Sequence, residues 1–262
     1  MVRDMKRLRF LSFALWALVA PATLSVPVRA AEGFMPAAKA NATKAAAAAA
    51  PETWHFLHAG ELDAKKILPP PPAPGSLAAQ ADLETVLHVQ AARTPEQVAW
   101  AKFIEHDDLF KNSRVLGDWF TAENLPFLAA FFHQVDDDGD LIFGDVKTLY
   151  PRPRPPFADS RVHPCVELKT TGSYPSGHSS QAWMWAGLLA EIFPEKRTEI
   201  LDRARDVAWG RVIGGVHYPT DTIGGKLLGD VIVAELLKLP AVQEAIRQCR
   251  AEAEPFLRKK AA

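Results

Sequence analysis

Pro175-Ser-Gly-His-Ser-Ser-Gln-Ala-Trp-Met-Trp-Ala-Gly-Leu-Leu-Ala-Glu-Ile-Phe-Pro194 sets the reading of this chain. Ser179 to Phe193 is strongly apolar and stops at a proline, which predicts a helix that ends there. The Ser-Gly turn in front of it marks the helix start. Upstream, Thr94-Pro95-Glu96-Gln97 combines an N-cap, a proline at the first helical position and a capping-box glutamine. Val98, Ala101, Phe103, Ile104 and Leu109 follow at helical spacing. Further helices are predicted over 124–134, 141–150, 195–209, 219–237 and 242–257. Few segments alternate as strands do. The expected fold class is all-α: one single-domain helical bundle over residues 61–262, long enough for a core of its own.

Residues 1–30 are expected to be a signal peptide. Arg3, Lys6, Arg7 and Arg9 precede the apolar run Phe10–Ala20, and Val28-Arg29-Ala30 makes a small-x-small cleavage site before Ala31. The run is too short to span a bilayer, and Pro21 follows it. The protein is therefore expected to be periplasmic or secreted, without stable membrane insertion. Residues 31–60 read as an Ala-rich, low-complexity spacer. Leu68-Pro-Pro-Pro-Pro-Ala-Pro-Gly-Ser76 is a polyproline segment, expected to lie along the surface of the fold.

The chain has 30 basic and 31 acidic residues. Its first thirty residues hold five of the basic and one of the acidic, so the rest carries 25 against 30, a net of −5. That balance gives no general affinity for nucleic acid, and any attraction for phosphate must be local. Cys165 and Cys249 could pair in an oxidising compartment or remain separate thiols. Asp136-Asp-Asp-Gly-Asp140 lacks the glycine and glutamate spacing of a calcium loop and reads as a solvated acidic turn or helix end.

Three segments carry the chemistry. Lys147 and Arg154 lie in Lys-Thr-Leu-Tyr-Pro-Arg-Pro-Arg-Pro155; Ser176, Gly177 and His178 open the apolar helix; Arg211, His217 and Asp221 lie in Arg-Val-Ile-Gly-Gly-Val-His-Tyr-Pro-Thr-Asp221. A phosphate monoester carries close to two negative charges, and its transfer chiefly needs positioning and charge neutralisation. Lys147, Arg154 and Arg211 can meet its oxygens from different sides. A Ser-Gly turn at a helix start offers backbone N–H groups to an anion. His178 can protonate a leaving alkoxide. Asp221, four residues after His217, can fix that ring's tautomer and leave its other nitrogen free to attack. Taken singly, each cation reads as solvated surface charge, and the His-Asp pair reads equally well as a helix cap.

Together the segments match K-x6-RP, PSGH and (S)R-x5-H-x3-D in order. The chain thus resembles the phosphatidic acid phosphatase type 2 (PAP2) superfamily, and within it the bacterial class A non-specific acid phosphatases. The polyproline stretch, Gly172-Ser173-Tyr174 and the tail after Pro240 add to the resemblance, which runs from Leu62 to Ala253. It implies a helical phosphatase of small-molecule phosphate monoesters, with no cofactor and no metal. His217 would be the nucleophile, Asp221 its orienting partner and His178 the general acid. Lys147, Arg154, Arg211, Ser176 and Gly177 would bind phosphate. The resemblance also implies a homo-oligomer. One departure is Gly210, where the pattern has serine. Arg152 is an extra cation, read here as an aid to binding larger substrates. Alternatives from the same superfamily are a vanadate-dependent haloperoxidase and a lipid phosphate or pyrophosphate phosphatase. A non-enzymatic phosphate-binding protein would leave His178 and the His217–Asp221 pair without use.

Overall fold

The Thr94 signal is realised literally. In the computed structural model, Thr94 Oγ1 accepts the Gln97 N–H at 3.3 Å, and Gln97 Oε1 accepts the Thr94 N–H at 2.9 Å. The structure describes residues 54–58 and 60–259. Seven long helices follow in order: α1 (Leu77–Ala92), α2 (Pro95–Phe103), α3 (Pro126–Leu149), α4 (Gly177–Ile192), α5 (Arg197–Ile213), α6 (Pro219–Leu236) and α7 (Pro240–Lys259). Short helical turns and loops join them, and there is no strand among the described residues. The fold is all-α, as expected.

The apolar run after His178 forms the centre of the molecule. Met184, Leu188, Leu189 and Ile192 of α4 are wholly buried, and α4 packs chiefly against α5 and α6. Each such side chain contributes about 1.5–3 kcal/mol by leaving water. Glycines set how closely α4 and α6 approach. A Cβ on Gly225 would lie 2.6 Å from the Ser176 carbonyl oxygen, and one on Gly229 would lie 2.6 Å from that of Ser180. The backbone at the start of α4 therefore meets the middle of α6.

Two expectations are corrected in α3. The segments read as separate helices over 124–134 and 141–150 form one helix of 24 residues, Pro126–Leu149. The acidic run between them is not a solvated turn. Asp138 is buried, and its carboxylate accepts the backbone N–H groups of His55 (2.8 Å), Phe56 (2.8 Å) and Leu57 (3.0 Å). Asp136 accepts the Trp185 indole N–H at 2.6 Å. Gly139 belongs to the same packing, because a Cβ there would sit 2.9 Å from Met184 Cε. Tertiary hydrogen bonds thus hold as helix a sequence that favours a turn locally.

Those Asp138 bonds extend the fold toward the N-terminus. Leu57 is buried, and Trp54 and Phe56 pack on the core, although residues up to 60 read as spacer. The signal peptide and the rest of the spacer lie outside the described residues. The polyproline segment runs without helix or strand. The Tyr150 hydroxyl donates to the Leu68 carbonyl at 3.0 Å and the Tyr174 hydroxyl to that of Pro69 at 2.7 Å. Cys165 and Cys249 are both free thiols, Cys249 buried within α7, so the bridge left open by the sequence is not formed. Glu252 of α7 caps α3 by accepting the N–H groups of Phe127 (2.8 Å) and Leu128 (3.0 Å).

Candidate active site

All eight expected site residues contribute to one network or its immediate rim. The last turn of α3 supplies Lys147. Its Nζ donates to the carbonyls of Pro175 (2.8 Å) and Gly172 (3.1 Å), which ties α3 to the loop before α4. Burial, aided by the nearby Arg154 charge, pulls its pKa down to about 8. Pro151 and Pro153 then keep the chain out of helix until Pro155 opens a short turn, Pro155–Ala158, of which Arg154 is the N-cap. Arg154 Nε donates to the Thr171 carbonyl (2.9 Å), and Nη1 reaches both the Val216 carbonyl (3.1 Å) and His217 Nε2 (3.0 Å).

Ser176 is the N-cap of α4, its hydroxyl facing the Ser179 N–H, and Gly177 is the first helical residue. A Cβ on Gly177 would meet only Lys147 Cε, at an ordinary 3.7 Å, so packing does not demand glycine there. His178 follows, with Nε2 3.0 Å from the Glu105 carbonyl oxygen. A carbonyl only accepts, so Nε2 carries a proton. Burial, then the Arg211 charge, pushes the His178 pKa down to about 4.

Arg211 lies at the end of α5. It is only 2% exposed, and its Nε and Nη1 find no acceptor among the described residues. Two buried guanidinium N–H groups without partners are costly unless an anion meets them. Burial lowers the Arg211 pKa to about 10, so it remains a cation at neutral pH. Gly210 explains its own departure from the pattern. A Cβ there would fall 2.5 Å from Ile104 Cδ1 and 3.2 Å from Trp100 Nε1. Glycine lets the short turn Ile104–His106 close on α5, and that turn carries the carbonyl that holds His178.

After α5 the chain turns through Gly215, whose φ of +75° favours glycine. His217 then lies ahead of α6 rather than on it, because Tyr218 is the N-cap and Pro219 the first helical residue. Asp221 reaches back from the third helical position. Its Oδ2 accepts the Tyr218 N–H at 2.8 Å and lies 3.3 Å from His217 Nδ1. The tautomer follows from donors alone. An arginine cannot accept, so Nε2 of His217 must offer its lone pair to Arg154, and the ring proton sits on Nδ1 facing Asp221. Burial holds His217 neutral, with its pKa down to about 3, although the Asp221 bond works the other way. Asp221 stays ionised: bonds from His217 and the charge of Arg152 outweigh its own burial.

The expected role of Arg152 is corrected. It does not point to larger substrates, since its guanidinium joins two buried carboxylates. Nη1 donates to Asp221 Oδ1 at 2.6 Å, Nη2 to Asp82 Oδ2 at 2.7 Å, and the group lies 4.0 Å over the Tyr218 ring. Asp82 is a member of the network that no sequence signal marks. Ser173 stands in the sequence only as part of a shared lead-in, yet its hydroxyl donates to Asp221 Oδ2 at 2.5 Å.

Residues 128–243 match the family model described as the PAP2 superfamily. The non-specific acid phosphatase of Providencia stuartii is 30% identical, over 77% of this chain and 85% of its own length. This chain belongs to the PAP2 superfamily. A second relative, the acid phosphatase of Zymomonas mobilis, is 30% identical over 70% of this chain and 71% of its own length. A solved transmembrane PAP2 type phosphatidylglycerolphosphate phosphatase from Bacillus subtilis is 25% identical over 63% of this chain and 86% of that one, with a TM-score of 0.45. Among the described residues of this PAP2 chain, no helix is long and apolar enough to cross a membrane. The matched region holds every expected site residue, whereas Asp82 lies outside it.

Proposed function

We propose that this chain is an exported acid phosphatase that hydrolyses small phosphate monoesters broadly, through a phosphohistidine at His217 and without a metal. The observation that carries the reading is the meeting of two kinds of group in one buried place. His217 turns the lone pair of Nε2 to Arg154, the Arg154 charge also bears on Arg211, and Arg211 offers two buried N–H groups with no acceptor among the described residues. Kinship to the acid phosphatases of Providencia stuartii and Zymomonas mobilis supports it.

In the proposed reaction, Lys147, Arg154, Arg211 and the N-terminal end of α4 hold the phosphate oxygens. Arg154 Nη1 turns from Nε2 to a phosphate oxygen, the freed Nε2 attacks phosphorus, the ester P–O bond breaks, and the departing oxygen takes a proton from His178. Asp221 stabilises the positive charge that develops on the His217 ring. Water then attacks phosphorus and gives its proton to His178, the P–N bond breaks, and phosphate leaves with His217 neutral again. Nothing in this scheme reads the alcohol, which supports broad specificity.

The pH dependence follows in sign. His217 must be neutral, and its lowered pKa keeps it so through the mildly acidic range. His178 must be protonated. Burial and nearby cations hold its pKa near 4 in the free site, and a bound phosphate dianion would offset the cations and raise it. Release of p-nitrophenol from p-nitrophenyl phosphate is therefore expected to be greatest at acidic pH. It should decline toward alkaline pH as His178, and then Lys147 near 8, lose their protons. EDTA should leave the rate unchanged; loss in EDTA that a divalent metal restores would sink the metal-free mechanism. Export rests on the pattern of residues 1–30. N-terminal sequencing of protein recovered outside the cytoplasm is expected to begin at Ala31, and an intact Met1 would refute cleavage.

A further inference from the structure

We infer that Asp82 and Arg152 are positioning residues for the reaction: together they clamp the Asp221 carboxylate that orients His217. The inference rests on the phosphohistidine reading above.

The geometry shows which contacts place Asp221. Its bond to His217 Nδ1 is the longest it makes, at 3.3 Å. Shorter bonds come from Arg152 at 2.6 Å, Ser173 at 2.5 Å and the Tyr218 N–H at 2.8 Å. The carboxylate is thus fixed by other groups, and the histidine aligns to it. Arg152 is the one cation among those donors, and it has no freedom of its own. Its second nitrogen is held by Asp82, its face lies on the Tyr218 ring, and Nη1 also donates to Thr220 Oγ1 at 2.8 Å. Asp82 in turn takes the Thr220 hydroxyl and the Thr220 N–H, the latter at 3.2 Å, at the start of α6.

Asp82, Arg152 and Asp221 have side chains 4%, 9% and 0% exposed, so solvent screens this chain of charges little. Charge sharing gives Asp82 a second effect. Without it, the whole Arg152 charge would fall on Asp221 and draw that carboxylate away from an already long bond to His217. Neither residue reaches the cations that hold phosphate. The network should therefore govern attack by His217 and leave phosphate binding alone.

The test is Asp82→Asn in the full mature chain, with kcat for p-nitrophenyl phosphate and the Kd for inorganic phosphate measured side by side. Asparagine keeps the shape and avoids the two unpaired buried carboxylates that loss of Arg152 would leave. We expect kcat to fall about 10- to 100-fold, the usual cost of losing a partner that orients a reacting group, with the phosphate Kd within about twofold of the parent's. Arg152→Lys keeps the charge and cannot bridge both carboxylates, so its kcat should also fall with phosphate binding intact. The double variant should lose no more than the worse single variant, since one clamp is broken either way. Unchanged kcat in Asp82→Asn overturns the inference. So does a parallel loss of phosphate affinity, which would mean that the network merely holds the pocket together. The parent and His217→Ala are run alongside. A parent without turnover, or a His217→Ala variant that keeps it, overturns the phosphohistidine reading, and this inference falls with it.

Discussion

His217→Ala is expected to reduce turnover of p-nitrophenyl phosphate by at least about 10⁴-fold, the scale of losing a nucleophile that acts in concert with its partners. The size of the effect follows from the lack of a substitute. His178 is bound through Nε2 to the Glu105 carbonyl, and Lys147 has both carbonyl contacts to keep. Phosphate binding should survive, because Lys147, Arg154 and Arg211 are untouched and Arg154 loses only one of its acceptors. The informative result is the pairing of lost turnover with retained phosphate affinity. Turnover within tenfold of the parent's would remove His217 from the mechanism.

Gly225→Ala is expected to lower both stability and rate, although the glycine touches no substrate. Its added methyl would fall 2.6 Å from the Ser176 carbonyl oxygen and 2.6 Å from Ser179 Cβ. The first of these is backbone and cannot swing aside, so α6 must move away from α4. Overpacking of this kind costs about 1–3 kcal/mol. The displaced helices carry Ser176, Gly177 and His178 on one side and Asp221 on the other, and a shift of about 1 Å between such groups can cost about 10²-fold in rate. Gly144→Ala is the matched control. Nothing lies within 4 Å of the place its methyl would take, and it sits inside α3, where alanine should stabilise by about 0.5–1 kcal/mol. Equal melting temperatures for the two variants would show that the α4–α6 contact is not what sets their spacing.

The parts of the candidate site legible in the sequence are those set by short spacing. His217 and Asp221 are four residues apart, Ser176 to His178 are contiguous, and Lys147 and Arg154 flank a proline-broken helix end. Local rules reach that far. Asp82 is beyond them. An aspartate on α1 reads as solvated charge, and only the fold brings it to Thr220 and Arg152, 138 and 70 residues away. Arg152 reads wrongly for the same reason, since its two carboxylates come from different helices. The acidic run in α3 shows the converse. Asp136 to Asp140 contains every local signal for a turn, and long-range partners at His55, Phe56, Leu57 and Trp185 override it.

The buried cations and histidines also matter to folding. His178 and His217 both titrate lower in the folded chain than in an open one, near 4 and near 3 against about 6.5. Their neutral forms therefore favour the fold above about pH 6.5, and that contribution drains away as pH falls toward those lower values. Arg211 adds a second cost, with two buried N–H groups that no acceptor among the described residues meets. A phosphate dianion bound as proposed would act against both, satisfying Arg211 and favouring a protonated His178. Acid thus loosens the free protein under the very conditions that the proposed chemistry favours, and the phosphate group of its proposed substrate would serve as a thermodynamic chaperone for the native state.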